Sequence, residues 1–375
     1  MRPARYILFF AMMLFSGSCI TEFIPETNEN ADMLVVEGLI TNKAGNNTVK
    51  LSKALSLSSK TTGTPYTRCS VIITDDLGNM TPLYEKSNGL YVTDSAFAGV
   101  VGREYKLTIR TNNSGASNYT YESVPVKMVP VPPVDTIYYE KQQYNPGSDA
   151  FIREGCQVWF DSHDPDNKCH FYRWDYSETW MFQLPYYVPN NICWISANSN
   201  VINIKNASIL TENRITGYPL IFISPESDRL SIKYSLLLNQ YSISEDEFEY
   251  WEKLKTITDE VGSLYDVTPS FIPGNVTCIE DPTQDVLGYF SVSAVSSKRM
   301  YISGRFRGLA YLYSQCPSDT VNDLNAVADL NWKRWVIESD ELVVPPIYIL
   351  TRIKGCADCT VRGTKDKPLW WDDSK

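Results

Sequence analysis

Residues 33–41 read MLVVEGLIT, residues 46–52 read NNTVKLS, and residues 104–110 read EYKLTIR. Each is a short run rich in Val, Leu, Ile and Thr, and the second alternates apolar with polar side chains. That is the pattern of a strand with one face buried and one wet. Working outward, residues 69–74 (CSVIIT) run into Asp75-Asp76-Leu77-Gly78-Asn79, where Gly and Asn supply the permissive backbone of a turn. Residues 80–84, 90–92 and 119–126 add further short runs, and no helical pattern interrupts them. About seven short strands in succession are what an immunoglobulin-like sandwich requires, so the sequence predicts an immunoglobulin-like β-sandwich over residues 33–128.

Residues 129–135 read VPVPPVD. Pro130, Pro132 and Pro133 fix an extended, semi-rigid spacer, which places a domain boundary there. Beyond it, strands are expected at 136–140, 155–160, 169–180, 201–204, 220–224, 229–240, 285–296 and 299–303, and more weakly at 332–337 and 348–353. Residues 319–330 are polar and read as loop. One helix stands out at residues 244–261. Ser244 with Glu247 makes a capping box, and Glu245, Asp246 and Glu249 sit where the helix dipole favours negative charge. Phe248, Trp251, Leu254, Thr258 and Val261 recur every three or four residues and give one buried face. The second half, residues 136–375, is therefore expected to be a larger β-sandwich-type domain with one packed α-helix.

The N-terminus carries an address. Arg2 and Arg5 precede an apolar run over residues 6–15, and small residues then lead into Cys19. This is a secretory signal. The run is about half the ~20 apolar residues a spanning helix needs. A Cys directly after small residues points to a lipoprotein signal over residues 1–18, with Cys19 lipidated and residues 19–32 a polar tether. Ser16 and Ser18 equally satisfy ordinary signal cleavage, which would leave Cys19 a thiol or a disulfide partner. With two or more acyl chains, lipidation gives stable attachment to a membrane without any transmembrane helix.

Removing residues 1–18 leaves 357 residues, enough for about two domains. The formal charge of −10 becomes −12 once Arg2 and Arg5 are lost. An acidic exported chain is a poor partner for nucleic acid. The 24 Tyr and 9 Trp favour strands. Eight cysteines remain besides Cys19, and an exported chain can bond them. Cys278 and Cys316 are candidates to close a loop around the strands between them. Cys356-Ala-Asp-Cys359 is a lone C-x-x-C, readable as a redox pair, half a zinc site or a tight structural disulfide. No second C-x-x-C completes four zinc ligands, and no helix start follows, so a structural role is expected. No cofactor and no metal site are expected.

The chain has two histidines, His163 and His170, and neither G-x-S-x-G nor H-E-x-x-H occurs. No catalytic residue is assigned. The acids over residues 161–167 (DSHDPDN) lack EF-hand spacing and read as a solvated turn instead of a calcium loop. Trp174, Tyr176, Trp180 and Trp194 belong to an aromatic-rich stretch that either lines a ligand surface or fills the core. They are the candidate ligand contacts.

Taken with the residues around them, several stretches resemble one family from end to end. These are LVVEGLIT, YEKSNGLY, VGREYKLTI, VPPVDTIYY, FYRWDYSETW, LLLNQYSISEDEFEYWEKL, LYDVTPSFIPGNV, VLGYFSVSAV and CADCTVRGTKDKPLWW. The sequence is similar to the family called domain of unknown function 4249. The resemblance implies a cell-envelope lipoprotein of Bacteroidetes bacteria, anchored through Cys19, whose gene lies in the neighbourhood of TonB-dependent outer-membrane receptors. It carries no catalytic residue over. Surface-exported lipoproteins of such bacteria often have an acidic patch after the Cys. Here residues 20–23 offer Glu22 alone, which leaves the membrane face open.

The expected function is a non-enzymatic accessory or ligand-binding subunit associated with a TonB-dependent receptor. The rivals are a cell-envelope glycosidase using two carboxylates ~5–10 Å apart beside the aromatics, and a surface adhesin subunit that donates or accepts a strand. A secreted glycoprotein with N-x-S/T sites at Asn46, Asn112, Asn118, Asn206 and Asn275 is a weaker alternative.

Overall fold

A computed structural model describes residues 33–45, 47–54, 63–112, 118–145, 152–260, 272–310, 316–323 and 335–374. Residues 1–18, Cys19 and the tether fall outside the described residues, as do Asn46 and Val261. The first strands are β1 (Leu34–Thr41), β2 (Thr48–Lys53), β3 (Thr64–Pro65), β4 (Ser70–Asp75), β5 (Met80–Ser87), β6 (Leu90–Val92), β7 (Glu104–Arg110), β8 (Thr120–Ser123) and β9 (Val126–Lys127). Then come β10 (Val134–Tyr144), β11 (Arg153–His163), β12 (Phe171–Gln183), β13 (Ile192–Asn198), β14 (Asn203–Asn206), β15 (Arg214–Ile223) and β16 (Lys233–Ser242). The helix α1 (Glu245–Glu260) follows, and after it β17 (Val276–Cys278), β18 (Val286–Ser293), β19 (Val295–Ser303), β20 (Ser318–Val321), β21 (Trp335–Asp340) and β22 (Ile347–Thr351). The chain is mostly β with one α-helix among the described residues, and no described helix is long and apolar enough to cross a membrane.

The first sheet runs β17-β8-β7-β4-β5-β6-β2-β1-β18, with β3 and β9 at its margins. Its two end strands are neighbours in the chain, so the sheet curls nearly closed, like a barrel. Alternation decides what fills it. Leu34, Val36 and Ile40 of β1, Val49 and Leu51 of β2, and Leu107 and Ile109 of β7 point inward and are fully buried. Each such side chain contributes roughly 1.5–3 kcal/mol by leaving water. The Asp75–Asn79 turn forms as its residues dictate: the Asp75 carboxylate accepts from the backbone N–H groups of Leu77 and Asn79 at 3.0 and 2.9 Å.

The sequence reading puts residues 276–293 with the second half. In the structure they complete the first sheet. β17 pairs antiparallel with β8, and β18 pairs in parallel with β1, Leu34 to Val286 through Thr41 to Ser293. Asn275 clamps this return: its side chain donates to the Phe290 carbonyl and accepts from the Phe290 N–H, both at 2.8 Å. Asn275 is buried with both side-chain polar atoms engaged, so the folded chain does not present it at the surface.

A second core lies between the sheet β10-β11-β15 and the sheet β13-β12-β16-β19, which also carries β14 on β12. Residues 129–135 are not a free spacer. Gln240 Nε2 donates to the Pro132 carbonyl at 2.8 Å and Ser242 Oγ to the Val129 carbonyl at 2.5 Å, so the prolines lie docked on β16. The acidic turn is solvated at its tip, where Pro165, Asp166 and Asn167 are exposed, but not at its base. Asp164 is buried, and its carboxylate accepts backbone N–H groups from Asp166, Lys168 and Cys169 at 3.2, 2.7 and 2.7 Å.

The cysteine pairing differs from the Cys278–Cys316 loop considered from sequence. Disulfides join Cys193 to Cys359 and Cys316 to Cys356. Cys278 is a free thiol buried in β17, and the C-x-x-C residues each reach a distant partner instead of one another. Of residues 319–330, expected to be loop, 319–321 belong to β20 on β22, and 324–330 lie outside the described residues.

Candidate functional site

β18 and β19 are one extended path broken only at Ala294, and they belong to different sheets. The chain therefore stitches the two sheets side by side, and α1 sits over the seam. Ser244 caps the helix as its sequence requires, accepting from the Glu247 N–H at 3.2 Å. The reciprocal half of the capping box does not form. The Glu247 carboxylate turns inward, accepting from Trp251 Nε1 at 3.0 Å and from Ser291 Oγ of β18 at 2.6 Å. It is fully buried, and burial holds its pKa above the ordinary glutamate range, against the opposing pull of Arg173. Phe248 is buried against Ile204, Tyr241, Ile243 and Val295, whereas Trp251 and Leu254 are half-buried and Thr258 is exposed. The helix docks through its first two turns.

Strand β12 supplies the other wall, and its alternation sorts the residues. Tyr172, Trp174 and Tyr176 point into the second core. Arg173 and Asp175 point the other way, toward the seam. The Arg173 guanidinium carbon lies 4.7 Å from the Tyr241 ring centre and 4.9 Å from that of Trp251. Each contact is a cation–π attraction of roughly 0.5–2 kcal/mol. Arg173 makes no hydrogen bond or ion pair among the described residues, and its Nε is buried without a partner. Asp175 accepts from Asn239 Nδ2 at 2.8 Å.

A cavity of about 250 Å³ opens at this seam, lined by Glu37, Arg173, Asp175, Tyr250, Trp251 and Tyr289 among others. Tyr250 and Tyr289 pack ring to ring at 4.9 Å. Gly288 forms part of the floor with φ +86°, where a Cβ would lie 2.0 Å from the Val36 carbonyl oxygen. Glu37 is exposed and pairs with Lys50 at 2.9 Å.

The aromatics singled out from sequence lie elsewhere. Trp174, Tyr176 and Trp180 are 1%, 6% and 7% exposed and cannot present a ligand surface. They sit on the buried face of a central strand covered by the β10-β11-β15 sheet, where Phe160 lies 5.2 Å from Trp174. Trp194 is half-buried and meets Trp371 edge-on at 6.3 Å. The two acids beside Trp180 are both engaged. Glu178 is buried, pairs with Arg229 at 3.1 Å and accepts from the Tyr234 hydroxyl at 2.8 Å. Asp228 accepts from Trp180 Nε1 at 3.1 Å and pairs with Arg362 at 2.8 Å. Sequence reasoning did not single out Arg173, Asp175, Glu37 or Tyr289. The usable signal was the alternation in Phe171-Tyr-Arg-Trp-Asp-Tyr176, which puts both charges on one face.

No group of His, Cys, Asp or Glu suited to hold a metal occurs among the described residues. The free thiols Cys156 and Cys169 are buried in the second core, and burial pushes each up to about 12.

The fold and the seam define a mostly β chain with two cores, stitched by one crossing strand path and carrying an open arginine in a cavity between them. The chain belongs to the family described as domain of unknown function (DUF4249), which matches residues 20–299. Residues 300–375, including the CADCTVRGTKDKPLWW ending, lie beyond that match. No curated protein matches the chain.

Proposed function

We propose that the protein is a binding subunit of the cell envelope, lipid-anchored at Cys19 and associated with a TonB-dependent outer-membrane receptor. The observation that carries the binding role is the seam cavity. It offers a guanidinium held by aromatic rings, without a hydrogen-bonding partner among the described residues, beside acceptors and an aromatic wall. Binding sites are concave, largely aromatic or apolar, and carry a few placed polar groups. The anchoring role is supported by the signal-like residues 1–18 and the small residues before Cys19. The receptor association is supported by family membership. The immunoglobulin-like reading of the first unit, completed by residues 276–293, and the sandwich-type reading of the rest belong to this proposal, supported by their antiparallel strands with alternating burial.

Beside the Trp174–Trp194 aromatics, where a glycosidase pair is expected, the state of the carboxylates disfavours hydrolysis. Hydrolysis needs one acid to give a proton and another to attack or activate water. Glu178 and Asp228 are committed to arginines, and Glu247 is buried beneath Trp251. Affinity purification of the full-length, C-terminally tagged protein from native outer membranes tests the proposal. The expected result is a lipidated Cys19 and a stoichiometric TonB-dependent receptor. Recovery of the protein alone, from cells grown where both are made, would remove the accessory role.

A further inference from the structure

The charge pattern of the seam cavity selects a ligand class, and this step rests on the cavity being the binding site proposed above. A guanidinium fixed by ring contacts keeps its planar fork free, and that fork matches a carboxylate through two parallel N–H···O bonds. Arg173 is such a group. Glu37 and Asp175 line the same cavity. Glu37 accepts from Lys50, and Asp175 from Asn239 and Tyr241; a carboxylate has about four acceptor sites, so each retains some. The lining itself carries one guanidinium and two carboxylates, with Lys50 paired to Glu37 from outside it. A bare anion would meet the two carboxylates, and a bare cation would meet the guanidinium. A ligand of zero net charge that carries both signs satisfies all of them. The volume of about 250 Å³ equals roughly eight waters at ~30 Å³ each, which suits a small molecule of about that many heavy atoms.

We propose that the cavity binds a zwitterionic α-amino acid. Its carboxylate lies on Arg173, its ammonium between Glu37 and Asp175, and an apolar side chain against Tyr250, Trp251 and Tyr289. Isothermal titration calorimetry of the full-length protein in detergent tests this with four probes: L-leucine, N-acetyl-L-leucine, L-leucinamide and maltose. L-leucine is expected to bind in the millimolar range or tighter. The acetylated and amidated forms, each lacking one charge, are expected to bind at least tenfold more weakly. Arg173→Lys keeps the charge without the fork and is expected to weaken L-leucine binding at least tenfold, with some fall in melting temperature from the altered ring contacts. If that variant does not fold, the probe series on the wild-type protein decides alone. Silence of L-leucine at 10 mM overturns the ligand class, as does binding that is indifferent to acetylation or amidation. Maltose binding lost in Arg173→Lys, with L-leucine silent, also overturns the class while leaving the cavity a binding site. All these outcomes are read on the isolated protein, so they are separate from whether a receptor copurifies.

Discussion

Replacing Gly288 by alanine should cost far more than replacing Gly78, although the two share nearly the same backbone. Gly288 has φ +86° and Gly78 φ +83°. The left-handed conformation alone costs an alanine roughly 1–2 kcal/mol. At Gly78 a Cβ meets nothing within 4 Å, so that is the whole expected effect. At Gly288 it would lie 2.0 Å from the Val36 carbonyl oxygen and 2.8 Å from the Val36 carbonyl carbon. The oxygen is backbone in the middle of β1, so the strand cannot swing aside as a side chain could. β18 must retreat by about an ångström and give up local ladder bonds, worth roughly 0.5–1.5 kcal/mol each. The packing of Phe290 and Val292 would loosen as well. The sum is about 3–5 kcal/mol, a large share of a typical 5–15 kcal/mol domain stability. Urea unfolding of the full-length protein and the two variants in one detergent measures both. Equal losses in Gly288→Ala and Gly78→Ala would refute the close parallel pairing of β18 with β1, and with it the placement of the cavity floor.

Further expectations are open to direct measurement. Glu247 is held protonated more readily in the folded chain than in the unfolded one, because burial outweighs Arg173 and its hydrogen bonds. Its contribution to stability is complete below the ~4.3 of an unfolded glutamate and fades as pH rises through the folded value. Glu247→Gln removes that fall, so melting temperatures from pH 4 to 8 should shift in the variant's favour as pH rises. A constant difference would contradict it. Cys156 and Cys169, buried and pushed up to about 12, should resist iodoacetamide in the native protein and react once it is unfolded in urea; native labelling, read by mass spectrometry, would contradict their burial. Cys193→Ser opens a link spanning 166 residues, worth about 5 kcal/mol in the chain-entropy model. Because this link ties the C-terminal segment to β13, it should also expose the segment around Trp371 to limited proteolysis ahead of the rest; uniform cleavage would contradict that.

The local half of the fold is written in the sequence. MLVVEGLIT, EYKLTIR and CSVIIT form strands because alternation and β-branching suit a half-buried pleat. Ser244 starts the helix because its hydroxyl satisfies an orphan N–H. What the sequence hides is long-range. Nothing local in VLGYFSVS says that it will lie parallel to LVVEGLIT across the whole first half of the chain. The disulfide partners are likewise a property of the finished fold. Trp174 and Tyr176 misled because an aromatic on a strand looks the same whether its face meets solvent or a second sheet. The inward turn of Glu247 was hidden because a capping box explains a glutamate at that position without any cavity behind it.

The arginine in the seam can be observed directly. In the full-length protein labelled with ¹⁵N-arginine, the Nε–H signal assigned by its loss in Arg173→Lys should lie upfield of the other arginines, since the ring currents of Tyr241 and Trp251 act on it. It should exchange slowly with water and move downfield as L-leucine is added, when its fork takes up a carboxylate. A signal at the position of a free arginine, exchanging fast and unmoved by any of the four probes, would contradict an arginine held open for a ligand.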